Sequence, residues 1–139
     1  DLAGLPETIM GDPDMLRQIV GNVLSNAIKF SPSGGDVRIS GESRDGQAVL
    51  TVSDRGRGIA PDEREKIFEP YYRARNSRGV HGAGIGLYVA RKFVENHSGT
   101  IQIDGALNAG TSVTITLPVA GPAVTEENRT DAASPLHRG

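Results

Sequence analysis

Arg44-Asp45-Gly46-Gln47-Ala48-Val49-Leu50-Thr51-Val52-Ser53-Asp54 is the stretch from which the fold can be read. Asp-Gly suits a two-residue hairpin turn, because both turn positions need a positive φ. Ala48, Leu50 and Val52 then alternate with Val49, Thr51 and Ser53, the period of a strand with one face buried. The run before the turn, 36–40, points Val37 and Ile39 one way. The alternation returns at 100–104, with Ile101 and Ile103 inward, and at 111–116, where Val113 and Ile115 alternate with Thr and Ser before Leu117. Residues 8–10 fit a short edge strand. Such strands predict a mostly antiparallel sheet with one solvated face. Helices must cover the other face, which makes the chain an α+β protein, a two-layer α/β sandwich.

The covering helices have their own signals. Asp12-Pro13 is a helix start, with Asp as N-cap and Pro at the first helical position. Leu16, Ile19, Val20, Val23, Leu24, Ala27 and Ile28 then form one apolar face. The helix must end near Phe30, since Pro32 and Ser33-Gly34-Gly35 follow. Its opposite face carries Gln18, Asn22, Asn26 and Lys29, three or four residues apart and so aligned. That face reads either as plain solvated surface or as a site: amide oxygens are hard ligands suited to Mg²⁺, and an ammonium suits phosphate. A second helix follows His81-Gly82-Ala83-Gly84-Ile85-Gly86-Leu87. Ile85, Val89 and Phe93 repeat at four-residue spacing, with Leu87, Ala90 and Val94 beside them. Residues 61–67 predict a short helix with acidic residues in its first turn.

Composition narrows the function. A chain of 139 residues is one domain with room for a core. A net charge of −2 carries no nucleic-acid signature, and three Tyr, three Phe and no Trp give little base-stacking surface. Without cysteine there are no disulfides, thiolate nucleophiles or thiolate metal sites, which fits a reducing compartment. No apolar run approaches a membrane span and no signal peptide opens the chain. The chain begins at Asp1 rather than Met, as expected of a piece of a longer protein. Residues 1–119 are expected to be one domain, and 120–139, polar and patternless, a disordered tail.

Two stretches point to a ligand. Asp54 ends a strand and runs into Arg55-Gly56-Arg57-Gly58-Ile59, which suits either a plain turn or a ligand mouth. Gly82, Gly84 and Gly86 open a helix, where the backbone can approach a ligand and free N–H groups favour an anion. A flexible hinge fits those glycines equally well. The spacing is G-x-G-x-G after a polar segment, so it is not a dinucleotide fingerprint, and no Gly-Lys-Ser/Thr makes a Walker loop. Between 68 and 82 no period holds, and Tyr71, Tyr72, Arg73, Arg75 and Arg78 make a basic loop that could close over an anion.

Taken together, these blocks resemble one family in order and spacing. Asn22-Val23-Leu24-Ser25-Asn26-Ala27-Ile28-Lys29-Phe30 is similar to the N box of bacterial sensor histidine kinases, and Asp54-Arg55-Gly56-Arg57-Gly58 to their G1 box. Phe68-Glu69-Pro70-Tyr71-Tyr72 resembles the F box, Gly82-Ala83-Gly84-Ile85-Gly86-Leu87 the G2 box, and Gly110-Thr111 the last G box. The resemblance spans roughly 8–118 and reaches the wider GHKL ATPases with the Bergerat fold, a mixed, mostly antiparallel sheet covered on one face by about three helices.

The resemblance implies ATP and Mg²⁺ as cofactors. Asn26 would ligate Mg²⁺, with Asn22 in support; Lys29 would touch phosphate and Phe30 pack near the adenine. Asp54 would accept a hydrogen bond from the adenine amino group, with Thr111 nearby. Gly56 and Gly58 would let the backbone approach, and Ile59 and Leu87 would wall the base. Gly82, Gly84 and Gly86 would form the hinge of a lid and the phosphate cradle, and Arg73 would reach the γ-phosphate. Tyr72 and Ile85 complete the expected cofactor-binding set, and Asn22, Lys29 and Arg73 the catalytic one.

One departure from other GHKL members matters. Gyrase- and chaperone-type ATPases carry a water-activating glutamate four residues before the Mg²⁺ asparagine; here that position is Asn22, an amide that cannot take a proton at neutral pH. Transfer to another group is therefore favoured over hydrolysis. His81, His97 and His137 lie in no phosphoacceptor motif, and structural or solvated roles are expected for them. The expected reading is a catalytic domain that phosphorylates a histidine on a separate dimerisation domain, upstream of a response regulator. No nucleic-acid partner is expected. The whole protein is expected in the cytoplasm, free or membrane-anchored. The alternatives are an anti-sigma-type serine kinase of the same fold and a nucleotide-binding regulatory module.

Overall fold

The computed structural model describes residues 2–6, 9–30, 35–56, 58–72, 85–105 and 109–120, without the side chain of Phe30. Four strands form one sheet: β1 (Val37–Arg44), β2 (Gln47–Asp54), β3 (Thr100–Gly105) and β4 (Thr111–Pro118), in the order β1-β2-β4-β3. Every neighbouring pair among them is antiparallel. Two helices, α1 (Pro13–Phe30) and α2 (Gly86–Asn96), cover one face, with two 3₁₀ turns at Pro61–Glu63 and Lys66–Phe68 beside them. This is the expected α+β sandwich.

The hairpin forms as its sequence requires. Arg44 pairs with Gln47, and the turn residues Asp45 and Gly46 both have positive φ, 52° and 78°. β1 runs past the expected 36–40 because residues 41–44 go on pairing with 50–47 up to the turn; Gly41 packs on the N-terminal segment, where a Cβ would lie 2.4 Å from Leu5 Cγ. Ala48, Val52, Ile101, Ile103, Val113 and Ile115 point into the core, as their alternation predicted. Ser53 and Ser112, a cross-strand pair on the other face, share a hydroxyl hydrogen bond of 2.9 Å.

Asp12 caps α1. Its Oδ1 accepts the N–H groups of Asp14 and Met15, at 2.9 and 3.1 Å. Ile19, Val23 and Ala27 are buried, but Val20 and Ile28, counted on the apolar face, are 38% and 60% exposed. The reason is angular: each lies one residue, about 100°, beyond the stripe that meets β2 and α2. A similar correction applies to α2, whose buried stripe is Leu87, Ala90 and Val94, while Ile85 sits exposed at the N-cap.

His97 ties the two helices. Its Nε2 accepts the Asp12 N–H at 3.0 Å, so Nδ1 carries the proton and donates to the Phe93 carbonyl at 2.8 Å. The buried ring fills the space that a Cβ on Gly11 would take, 2.8 Å from Cδ2. Ser98, at φ 61°, ends α2, and the Gly99 N–H returns to the Val94 carbonyl.

Two further expectations are corrected. Residues 61–67 form no α-helix: the bonds are i→i+3, Glu63 N–H to Ala60 and Phe68 N–H to Glu65. So short a segment cannot nucleate an α-helix, and Pro70 ends it. Ile9 and Met10 form no edge strand; the Met10 N–H gives one bond to the Val119 carbonyl without a ladder. The expected tail lies, beyond residue 120, outside the described residues. Among the described residues, no helix is long and apolar enough to cross a membrane.

Candidate nucleotide site

The C-terminal end of β2 carries the most organised group. Asp54 pairs with Val37 on one side and Thr111 on the other. Its Oδ1 accepts the Gly56 N–H at 2.7 Å, and the carboxylate also accepts the Thr111 N–H. An ionised carboxylate has roughly four acceptor positions, so these bonds orient Asp54 and leave acceptor capacity open. Burial pushes its pKa above the ordinary carboxylate value, against the lowering effect of the Gly56 and Thr111 N–H groups.

Glycines make this geometry possible. Gly110 has φ 84°, and a Cβ there would fall 2.2 Å from the Asp54 carbonyl oxygen. Gly58, at φ 72°, turns the chain so that Ile59 and Ala60 enter the core. Ile59 and Leu87, the expected walls of the base, belong to the same buried cluster.

The second group lies between the helices. Asn22 Nδ2 donates to the Gly86 carbonyl at 3.1 Å, which ties the polar face of α1 to the first turn of α2. Ile85, at the N-cap, makes no side-chain cap bond, and the first N–H groups of a helix are donors suited to an anion. Asn26, one turn beyond Asn22, is partly buried, and Lys29 is exposed. Among the described residues no His/Cys/Asp/Glu cluster could hold a metal ion. An amide oxygen such as that of Asn26 is still a hard donor that fits Mg²⁺ shared with phosphate.

The structure thus brings together Asp54, Gly56 and Thr111 at one end, and Asn22 and Gly86 at the other. Arg73, Gly82, Gly84 and the Phe30 side chain lie outside the description. Tyr72, expected against the nucleotide, gives its hydroxyl to Glu63 Oε2 at 2.6 Å. Sequence reasoning missed Glu63, buried at 1% exposure. Its signal was spacing: Ala60, Glu63 and Ile67 fall on one side of a helical turn, with the acid between two apolar residues. Reasoning also missed Arg91, whose guanidinium lies 5.0 Å from the centre of the buried Phe68 ring and pairs with Glu65 and Glu95, both at 3.2 Å.

The family model of histidine kinase-, DNA gyrase B- and HSP90-like ATPases matches residues 11–121, a span that holds both groups. The chain belongs to this family. Within it, the chain is a histidine kinase ATP-binding domain. It is 38% identical over 112 residues to the sensor-like histidine kinase SenX3 of Mycolicibacterium smegmatis, covering 79% of this chain and 29% of that protein. The mycobacterial sensor histidine kinase MprB superposes with a TM-score of 0.79 at 35% identity, over 87% of this chain and 83% of that one. Full-length ShkA, solved in complex with AMPPNP, superposes with a TM-score of 0.74 at 31% identity, over 88% of this chain and 25% of that one. The chain therefore spans under a third of the length of SenX3.

Proposed function

We propose that this domain binds Mg-ATP and delivers the γ-phosphoryl group to a histidine on a separate dimerisation domain of the same protein, in the cytoplasm, for onward transfer to a response regulator. The observation that carries the reading is Asp54: a carboxylate held by two backbone N–H groups, beside glycines that admit a close ligand, with acceptor capacity left over. A preorganised acceptor of that kind suits the exocyclic amino group of adenine. The AMPPNP complex of ShkA, a relative of the same fold, supports a nucleotide as the ligand.

Other residues take roles consistent with their places. Asn26 supplies the hard oxygen for Mg²⁺, which neutralises charge on the phosphates when bound. Lys29, exposed at the last turn of α1, reaches toward phosphate. The uncapped start of α2 favours the same anion. Gly56, Gly58, Ile59, Leu87 and Thr111 shape the base end, Ile85 and Gly86 belong to the phosphate end, and the resemblance assigns Arg73, Gly82 and Gly84, outside the described residues, to the phosphates as well. Asn22 holds Gly86 through its amide and offers no proton acceptor, which favours transfer over hydrolysis. Catalysis then rests on positioning and charge neutralisation.

Calorimetric titration of the chain with Mg-ATP tests the reading. One site should bind with a free energy of roughly −5 to −8 kcal/mol, micromolar to submillimolar. Asp54→Ala should lose most of that affinity and the preference for adenine over guanine. Equal binding by the variant would remove Asp54 from the base site.

A further inference from the structure

We propose that Glu63 and Tyr72 form a clasp that positions residues 58–60, which follow Asp54 and Gly56 along the chain, so that Tyr72 acts on the nucleotide site through Glu63 rather than by touching the ligand. The inference rests on the nucleotide-binding reading above.

The loop enters ordered elements at both ends. Gly56 gives its N–H to Asp54 Oδ1 at 2.7 Å, and Gly58 turns the chain at φ 72°. Upstream is the ladder of β2. Downstream is the 3₁₀ turn Pro61–Glu63, joined to the loop by the Glu63 N–H bond to the Ala60 carbonyl.

That turn is held on two flanks. On one, Arg64 Nη2 donates to the Gly105 carbonyl at 2.6 Å, and Gly105 pairs with Thr111, whose N–H reaches Asp54. On the other, the Glu63 carboxyl, 1% exposed, accepts the Tyr72 hydroxyl at 2.6 Å. Burying a carboxyl group is costly unless it is hydrogen-bonded, so this contact is strongly specified. The backbone before Tyr72 is also turned for it. Tyr71 takes φ 67°, uncommon for a residue other than glycine, with its own ring 70% exposed. Tyr72 instead packs on the core, its N–H bonded to the Glu69 carbonyl. Packing alone would be served by Phe; the hydroxyl adds the bond to the buried acid.

The test uses the 139-residue chain and calorimetry with ATP and with GTP. Tyr72→Phe and Glu63→Ala should each weaken ATP binding roughly fivefold to tenfold. Both should lower the preference for ATP over GTP, because the loop beside Asp54 loses its register. The double variant should be no worse than Glu63→Ala alone, the mark of one shared interaction. Glu63→Gln keeps an oxygen that accepts the tyrosine hydroxyl, and should keep most of the affinity and the preference. If Glu63→Ala does not fold, Tyr72→Phe and Glu63→Gln carry the same contrast. A fall in thermal stability with the ATP-to-GTP ratio unchanged would overturn the proposal in favour of a merely structural pair. Weakening by Tyr72→Phe but not by Glu63→Ala would overturn it in favour of direct contact. Failure of the unmodified chain to bind ATP would overturn the nucleotide reading and this inference together.

Discussion

At Asp54 the group proposed to meet the base is fixed by backbone: two N–H donors, a strand partner on either side and glycines that leave no room for a Cβ. On α1 the groups proposed for metal and phosphate, Asn26 and Lys29, are helix side chains, one partly buried and one exposed, while Asn22 one turn away is tied to a neighbouring element through Gly86. A base changes little during phosphoryl transfer, so a rigid seat suits it. Metal and phosphates rearrange as the reaction proceeds, and side chains with rotamer freedom suit them. The difference teaches that backbone changes at the base end, such as a Cβ on Gly110, should damage the fold, whereas side-chain changes at Asn26 and Lys29 should damage binding selectively.

The sharpest contrast is between two glycines. Gly110→Ala places a methyl 2.2 Å from the Asp54 carbonyl at a φ of 84°, and should destabilise the chain by about 2–3 kcal/mol or more. Gly86→Ala meets nothing closer than Asn22 Cβ at 3.8 Å and lies in α2, so it should be neutral or stabilising by up to about 1 kcal/mol. Urea unfolding of both variants checks this, and equal losses would abolish the comparison.

Asp54 gives the next largest effect, with two opposite signs. Its folded pKa lies above the unfolded one, so between the two the folded state holds more protons than the unfolded state. Its contribution to stability is full below the unfolded pKa and is lost as pH rises through the folded one. At neutral pH the ionised group therefore costs stability, and Asp54→Asn should unfold no more easily than the unmodified chain. The same variant should bind ATP at least tenfold more weakly, since its one amide oxygen is taken by the Gly56 N–H and its NH₂ group turns a donor toward the adenine amino group. ATP affinity of the unmodified chain should fall as pH drops through the raised pKa of Asp54. Calorimetry and thermal melts across pH 4–8 read both, and a constant affinity over that range would contradict an ionised Asp54 at the base.

Smaller effects belong to α1. Asn26→Ala should remove the Mg²⁺-dependent part of ATP affinity with little change in unfolding, as titrations with and without Mg²⁺ would reveal. Asn22→Ala loses the bond to Gly86 and should cost about 1 kcal/mol of stability. A larger structural loss at Asn26 than at Asn22 would reverse the account of which residue is tied into the fold.

Much of this was legible in the sequence where one short-range rule decides. The Asp45-Gly46 turn, the strand alternation and the Asp12-Pro13 cap each rest on residues close in the chain, and each formed. Asp54 was placed at a strand end by the same logic. Long-range contacts were not legible. Nothing in periodicity says that Tyr72 reaches Glu63, that Arg91 covers Phe68, or that His97 accepts the Asp12 N–H, because these depend on how α2 and the 3₁₀ turns dock. Val20 and Ile28 were misassigned for the same reason: an apolar face can be read from a helix, but which part of it meets the sheet is decided by the neighbours.

Phosphoryl transfer without hydrolysis is the central claim, and label transfer from γ-labelled ATP tests it directly. The chain alone should release free phosphate only very slowly and should label none of His81, His97 and His137. With the dimeric helical domain of its own full-length protein added, label should appear on a histidine of that domain. Brisk phosphate release by the chain alone, abolished by Asn26→Ala, would contradict the account and make the domain an ATPase.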